Sequence, residues 1–486
     1  MTLSLPETEP RAATALRIGD TWREASSRQV LTVVDPATEG VIGTVADATP
    51  SDALLALDAG AEAARTWAHS SPRMRSEVLR RTYELMIADK ERLSRLITAE
   101  NGKSIAEARA EVDYSAEFFR WYSAQVLGAD GELRTAPAGN NRILVSQHPI
   151  GPAVLVTPWN FPSAMAARKL APAIGAGCTA VLKPAPETPL SAVALAAILE
   201  RAGLPPGVVT VLTTSDAPGV VGALLADPRV RKLSFTGSTA TGQALLRAAA
   251  DGVISCSMEL GGNAPFLVLA SADLDVAVAS AMAAKLRNAG QSCTAANRFY
   301  VHESVAEEFT ARFSRALSSV TVGNGLDPGV DLGPLISGTA RDKVTALVER
   351  ALAQGARTTT GHRSLPDRGF FCSPTLLTGV PPDAEILRTE VFGPVAPVVT
   401  FSDTDDAVRL ANDTDMGLVA FVHSGDLAEA LAIADRLESG MVGINRGVVS
   451  DPAAPFGGWK HSGLGREGGL HGSAEYLEPK YIATAW

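Results

Sequence analysis

Four short apolar runs limit what this chain can fold into. PAVLVT (152–157), CTAVL (178–182), VVTVL (208–212) and KLSFT (232–236) are separated by helical pattern, which predicts a parallel sheet covered on both faces. The helix after CTAVL has Thr188 as N-cap candidate, Pro189 in its first turn, and Gly203 with Pro205 to stop it. From about residue 260 the rhythm restarts with APFLVLA, an Ala-rich helix and RFYVHESV, which predicts a second α/β domain. Upstream, VLTVVDPATEGVIGTVAD reads as two strands around a Pro/Gly turn, and 51–125 reads as helical. GADGELRTAPAGNNR (128–142) reads as a loop or hairpin excursion. The terminal SAEYLEPKYIATAW is strand-like, and its open edge calls for a partner surface, read as a subunit contact.

Composition narrows the class. With 46% hydrophobic residues and a net charge of −10, the chain reads as globular and not as a nucleic-acid or acidic-membrane binder. Cys178, Cys256, Cys293 and Cys372 are scattered without CxxC or metal-ligand spacing, so a reduced, cytoplasmic protein without a metal site is expected. The first 15 or so residues form a polar tail with Pro and Glu where a signal peptide needs an apolar core, and no run of 18 apolar residues occurs.

Four stretches carry candidate chemistry. NAGQSCTAANRFYV (288–301) sets Cys293 among small residues, either as a buried free cysteine or as a nucleophile whose neighbours let a substrate approach. SFTGSTATG (234–242) puts Gly237, Ser238 and Gly242 between a strand and a helix start. There, backbone amides bind anions, although a plain Gly-rich turn fits equally. TPWNFPSAMAARK (157–169) follows an apolar strand, and Asn160 offers either an oxyanion donor or an Asx turn. SMELGGNAPF (257–266) holds Glu259 beside Met258 and Leu260, either as a general base with a raised pKa or as an exposed strand end.

Together these stretches resemble the aldehyde dehydrogenase superfamily. TPWNFP, FTGSTATG, MELGGNAP, GQSCTAANR, EVFGPVAP and PFGGWKHSGLGREG occur in that family's order along nearly the whole chain. The resemblance implies Cys293 as nucleophile, Glu259 as general base and Asn160 as oxyanion donor. For the cofactor it implies Trp159 and Lys183 on the adenosine side, Gly237 and Ser238 at the pyrophosphate, and Glu390 with Phe392 at the nicotinamide half. Leu260 is counted with these cofactor residues. NAD-preferring relatives often carry a glutamate three residues after the lysine; here Pro186 stands there, with Glu187 one step later. Losing that carboxylate leaves Lys183 to pair with a 2′-phosphate, which tilts an NAD(P) reading toward NADP, with Glu187 as the alternative ribose partner.

The C-terminal segment from Gly440 resembles the succinate-semialdehyde dehydrogenase branch, where two arginines and a serine hold a substrate carboxylate. The matching residues are Arg168, Arg287 and Ser450, and the guanidinium fork suits a carboxylate. Arg446 departs from the branch pattern and predicts a more basic or partly plugged tunnel. Trp459 is bulkier than its counterparts, and Ala295 removes a second cysteine beside the nucleophile. The rivals are glutarate semialdehyde or another aldehyde as substrate, and a catalytically silent protein on the same fold. The implied architecture is a Rossmann-like cofactor domain (1–127 and 146–258), an α/β catalytic domain (259–455), and an oligomerisation and tunnel-lining element (128–145 and 456–486). The implied assembly is a homodimer or homotetramer.

Overall fold

The computed structural model describes residues 15–128, 131–360 and 365–485, so the polar N-terminal tail lies outside the described residues except for its last position. The apolar runs form the strands Ala153–Val156, Ala180–Lys183, Val209–Val211 and Lys232–Thr236, joined by Ser255–Glu259. Across the sheet these five parallel strands lie in the order 255–259, 232–236, 153–156, 180–183, 209–211, and Gly463–Leu464 adds a sixth, antiparallel, beside 255–259. The chain runs outward from 153–156 in one direction and then returns to its other side. That reversal makes a crevice at the carboxyl ends of 153–156 and 232–236, where doubly wound sheets bind ligands. Register sharpens the point, because Val156 pairs with Lys183 and with Phe235, and Thr236 pairs with Glu259. Four strands therefore end at one level.

The restarted rhythm forms a seven-stranded sheet in the order 357–358, 375–378, 395–401, 296–302, 264–268, 419–423, 441–444. All of its neighbouring strands are parallel except the short pair Arg357–Thr358 with Thr375–Thr378. Its middle strands are buried along nearly their whole length, as continuous apolar runs require. The 128–142 excursion and the C-terminal run meet in a third sheet, Leu477–Thr484 against Arg142–Pro149 against Glu132–Thr135. VLTVV and VIGTVA pair as the expected hairpin. Among the described residues no helix is long and apolar enough to cross a membrane.

One local expectation is corrected. The helix after Lys183 runs Leu190–Arg201 with Pro189 at its N-cap position, and Thr188 does not cap it. Instead the Thr188 hydroxyl donates to the Trp159 carbonyl, and the Glu100 carboxylate accepts from the backbone N–H of Leu190 and Ser191. A carboxylate distant in sequence does the cap's work, which no local pattern announces.

Candidate active site

Between the two sheets lies a cavity of about 300 Å³. The six-stranded sheet supplies Trp159, Asn160, Gly237, Ser238 and Leu260 to its wall, and the seven-stranded sheet supplies Arg287, Cys293, Glu390 and Phe392. Arg168 and Ser450 complete the set of candidates on the wall, whereas Glu259 and Lys183 lie behind it. Arg446 and Trp459 are exposed and do not line the cavity, so the plugged tunnel is not what this fold builds.

Cys293 sits just ahead of the strand Ala296–His302, on a loop bent by three successive positive φ angles at Asn288, Ala289 and Gly290. Such angles cost a non-glycine residue about 1–3 kcal/mol and persist only where surrounding contacts fix them. Asn288 donates through Nδ2 to the Asn160 carbonyl at 2.7 Å, and the Asn160 Nδ2 donates back to the Gln291 carbonyl at 3.0 Å. An amide nitrogen has two hydrogens, so one N–H of Asn160 remains beyond that bond. The Asx turn is excluded, because the Asn160 Oδ1 that would accept in it has no hydrogen-bond partner. Burial pushes the Cys293 thiol up to about 12, with Arg168 pulling it the other way.

Glu259 ends its strand fully enclosed, and neither carboxylate oxygen has a hydrogen-bond partner. Its carboxyl is raised well above the ordinary range by burial and by the neighbouring Glu467, against the pull of Arg168 and Lys169. Glu467 is the member that sequence reading missed. It meets Lys169 Nζ and Arg168 Nε, each at 2.5 Å. Those two cations outweigh its burial and hold it below the usual range.

The arginines have different surroundings. Arg168 is buried, ion-paired to Glu467 and stacked 4.1 Å over the Phe456 ring. Arg287 is half-buried and lies 4.6 Å over Phe161 and 5.8 Å over Tyr114. Tyr114, also missed, lines the same wall, and its hydroxyl interacts with Arg168 and Ser450. A helical pattern alone gave no sign that this tyrosine faces a cavity.

At the other end, Ser238 caps the helix Thr239–Ala250 with its side chain, and the buried hydroxyls of Thr236 and Thr239 have no partner. Two unpartnered hydroxyls at a helix N-terminus suit a phosphate-bearing ligand. Glu390 accepts from the Gly262 N–H at 3.2 Å and is pushed up to about 7 by burial, and Trp159 meets Phe392 edge-on at 5.5 Å.

The aldehyde dehydrogenase family model matches residues 22–482. The chain is 52% identical over 445 residues to the succinate-semialdehyde dehydrogenase of Paenarthrobacter nicotinovorans, covering 92% of this chain and 99% of that protein. It is 44% identical to the glutarate-semialdehyde dehydrogenase of Pseudomonas aeruginosa, covering 95% of each. Among solved structures, an NADP-dependent enzyme of E. coli superposes with a TM-score of 0.97 at 42% identity, covering 99% of this chain and 100% of that one. With that match along almost its whole length, and a cysteine and an asparagine facing one cavity between two α/β sheets, the chain belongs to the aldehyde dehydrogenase family.

Proposed function

We propose that the protein oxidises a short aldehyde bearing a distal carboxylate, succinate semialdehyde foremost, to the corresponding acid through a thioester on Cys293. The observation that carries this reading is one cavity holding a thiol, an amide donor and two arginines with a serine and a tyrosine. Arg287 is the more available guanidinium for the carboxylate, since Arg168 already faces Glu467; Ser450 and Tyr114 supply hydroxyls beside them.

As the thiol proton leaves to solvent water, the Cys293 sulfur attacks the carbonyl carbon, and the negative oxygen that forms accepts from the Asn160 amide and the Cys293 backbone N–H. One such donor is worth about 3–4 kcal/mol in other enzymes. NAD(P), when bound, supplies the acceptor for the departing hydride. Gly237, Ser238 and the two threonine hydroxyls would hold its pyrophosphate, Trp159 and Lys183 its adenosine side, and Leu260, Glu390 and Phe392 its nicotinamide half. The absence of a carboxylate at Pro186 favours NADP. Glu259 turns from its enclosed position to take a proton from the water that cleaves the thioester. Its raised pKa makes it a stronger proton acceptor than an ordinary carboxylate.

The same reading divides the chain into the cofactor, catalytic and oligomerisation regions expected above. It places the subunit contact on the exposed sheet of 477–484, 142–149 and 132–135, in a cytoplasmic homodimer or homotetramer. The deciding test is kcat/KM for succinate semialdehyde against butanal, each with NAD+ and NADP+. The two aldehydes differ by one carboxylate. A preference above about 100-fold, roughly 2.7 kcal/mol, is expected. A ratio near one removes the semialdehyde reading and leaves the dehydrogenase.

A further inference from the structure

The stretch ENGKSIAEARAE (100–111) joins two helices, yet Asn101, Lys103, Glu107 and Glu111 turn inward onto the backbone around the site. Asn101 Nδ2 donates to the Trp159 carbonyl at 3.0 Å. Glu107 accepts from the Asn288 N–H at 2.6 Å. Glu111 accepts from the N–H groups of Ser163 and Ala164, at the start of a helix whose own N-cap residue, Phe161, has no side chain to offer. Between them stands Lys103, only 1% exposed. Its ammonium donates to Glu111 at 2.5 Å and to the Asn160 carbonyl at 2.9 Å, and lies 4.0 Å from the centre of the Phe161 ring.

The base of this strut is pinned. A Cβ at Gly333 would stand 1.9 Å from the Gly102 carbonyl oxygen, and one at Gly325 would stand 2.3 Å from that of Lys103. The Ile105 N–H also donates to the Gly325 carbonyl. Lys103 therefore projects from backbone packed closely against Gly325 and Gly333, and its reach ends on Asn160, whose side chain lines the same cavity as Cys293.

We propose that Lys103 is a positioning residue for the oxyanion site, holding the Asn160 backbone so that its carboxamide points at the carbonyl oxygen under attack. The proposal rests on the reading of Asn160 as oxyanion donor. Stability alone does not account for the arrangement. A buried ion pair is often no better than an apolar replacement, whereas a fixed ammonium on a carbonyl sets geometry. Lys103 touches no substrate, and its effect passes through Asn160.

The test is a double-mutant cycle read on the burst of reduced cofactor, with cofactor affinity measured separately by fluorescence titration. Lys103→Met slows the burst by about 100-fold, the scale of an ångström's misplacement, and leaves cofactor affinity within about threefold. Added to Asn160→Ala, the same substitution brings no further loss. If Lys103→Met alone does not fold, Lys103→Met with Glu111→Gln carries the same test, since no charge is then stranded and the glutamine oxygen still accepts from Ser163 and Ala164. Losses that multiply, or a burst that Lys103→Met leaves intact, overturn the positioning role. A burst that survives Asn160→Ala overturns the oxyanion reading and the strut with it.

Discussion

The six-stranded sheet meets the cavity with the carboxyl ends of its strands, while the seven-stranded sheet meets it with the amino ends of its own. On the first side Asn160, Gly237 and Glu259 stand at or just beyond Val156, Thr236 and the last residue of 255–259, all brought level by register. On the second side Cys293 precedes Ala296 and Glu390 precedes Val395. A strand's carboxyl end hands its residue directly to a crevice. A residue ahead of a strand has to be aimed by its loop, and here the loop takes three left-handed conformations in succession to do so. The first side is rigid by topology and the second by hydrogen bonds borrowed across the cleft.

The largest effects divide the chemistry between the two sides. Cys293→Ala, on the second side, removes the proposed nucleophile and is expected to lower kcat by more than about 10⁴-fold in steady-state assay. Glu259→Gln, on the first, is expected to leave one stoichiometric burst of reduced cofactor and then nearly stop, because the thioester forms and is not hydrolysed. Stopped-flow traces distinguish the two. A Glu259→Gln enzyme without a burst would move this glutamate into the first half-reaction and erase the division.

The backbone supplies a finer contrast. Gly290 has φ of +76° and approaches Gly393 so closely that a Cβ would stand 2.3 Å from its carbonyl oxygen. Gly290→Ala is expected to misplace Cys293 and lower kcat about 100-fold while cofactor affinity holds. Thr236→Val, on the first side, removes a buried hydroxyl that has no partner. It is expected to leave thermal stability intact and raise the KM for cofactor only about two- to tenfold, the worth of one hydrogen bond. Equal effects of the two substitutions on kcat would mean that both edges are aimed in the same way.

This contrast also explains what is legible in the sequence. On the first side Asn160 and Gly237 follow apolar runs that the strand pattern locates, whereas Glu259 ends Ser255–Glu259, a strand that no apolar run announces. The small neighbours of Cys293 leave it as one of two readings, and Glu390 is readable only through the resemblance, because nothing in periodicity marks a loop that precedes a strand. Thr188 looks like a cap in the sequence, yet Glu100, ninety residues before Leu190, supplies the acceptor. Tyr114, Lys103 and Glu467 are hidden for the same physical reason. Each sits in a helix or loop of ordinary pattern and gains its role from a partner far away in the chain, such as Asn160 for Lys103 and Arg168 for Glu467.

The smallest expected effect concerns the edge of the seven-stranded sheet that faces away from the cavity. His423 ends the strand Val419–His423, 1% exposed, stacked 4.4 Å from Phe266, with neither ring nitrogen hydrogen-bonded. Burial pushes its pKa down to about 4. Since the unfolded chain binds this proton near pH 6.5 and the folded chain does not until about pH 4, the native state loses stability as pH falls through that window. The loss reaches about 2 kcal/mol by about pH 5. His423→Phe keeps a ring against Phe266 and removes the titrating group. The fall in Tm between about pH 8 and about pH 5 is therefore expected to shrink by a few degrees, with kcat/KM at the higher pH unchanged. An unchanged Tm profile would show that the imidazole finds a partner in solution. A changed kcat/KM would show that the carboxyl edge of this sheet reaches the site after all.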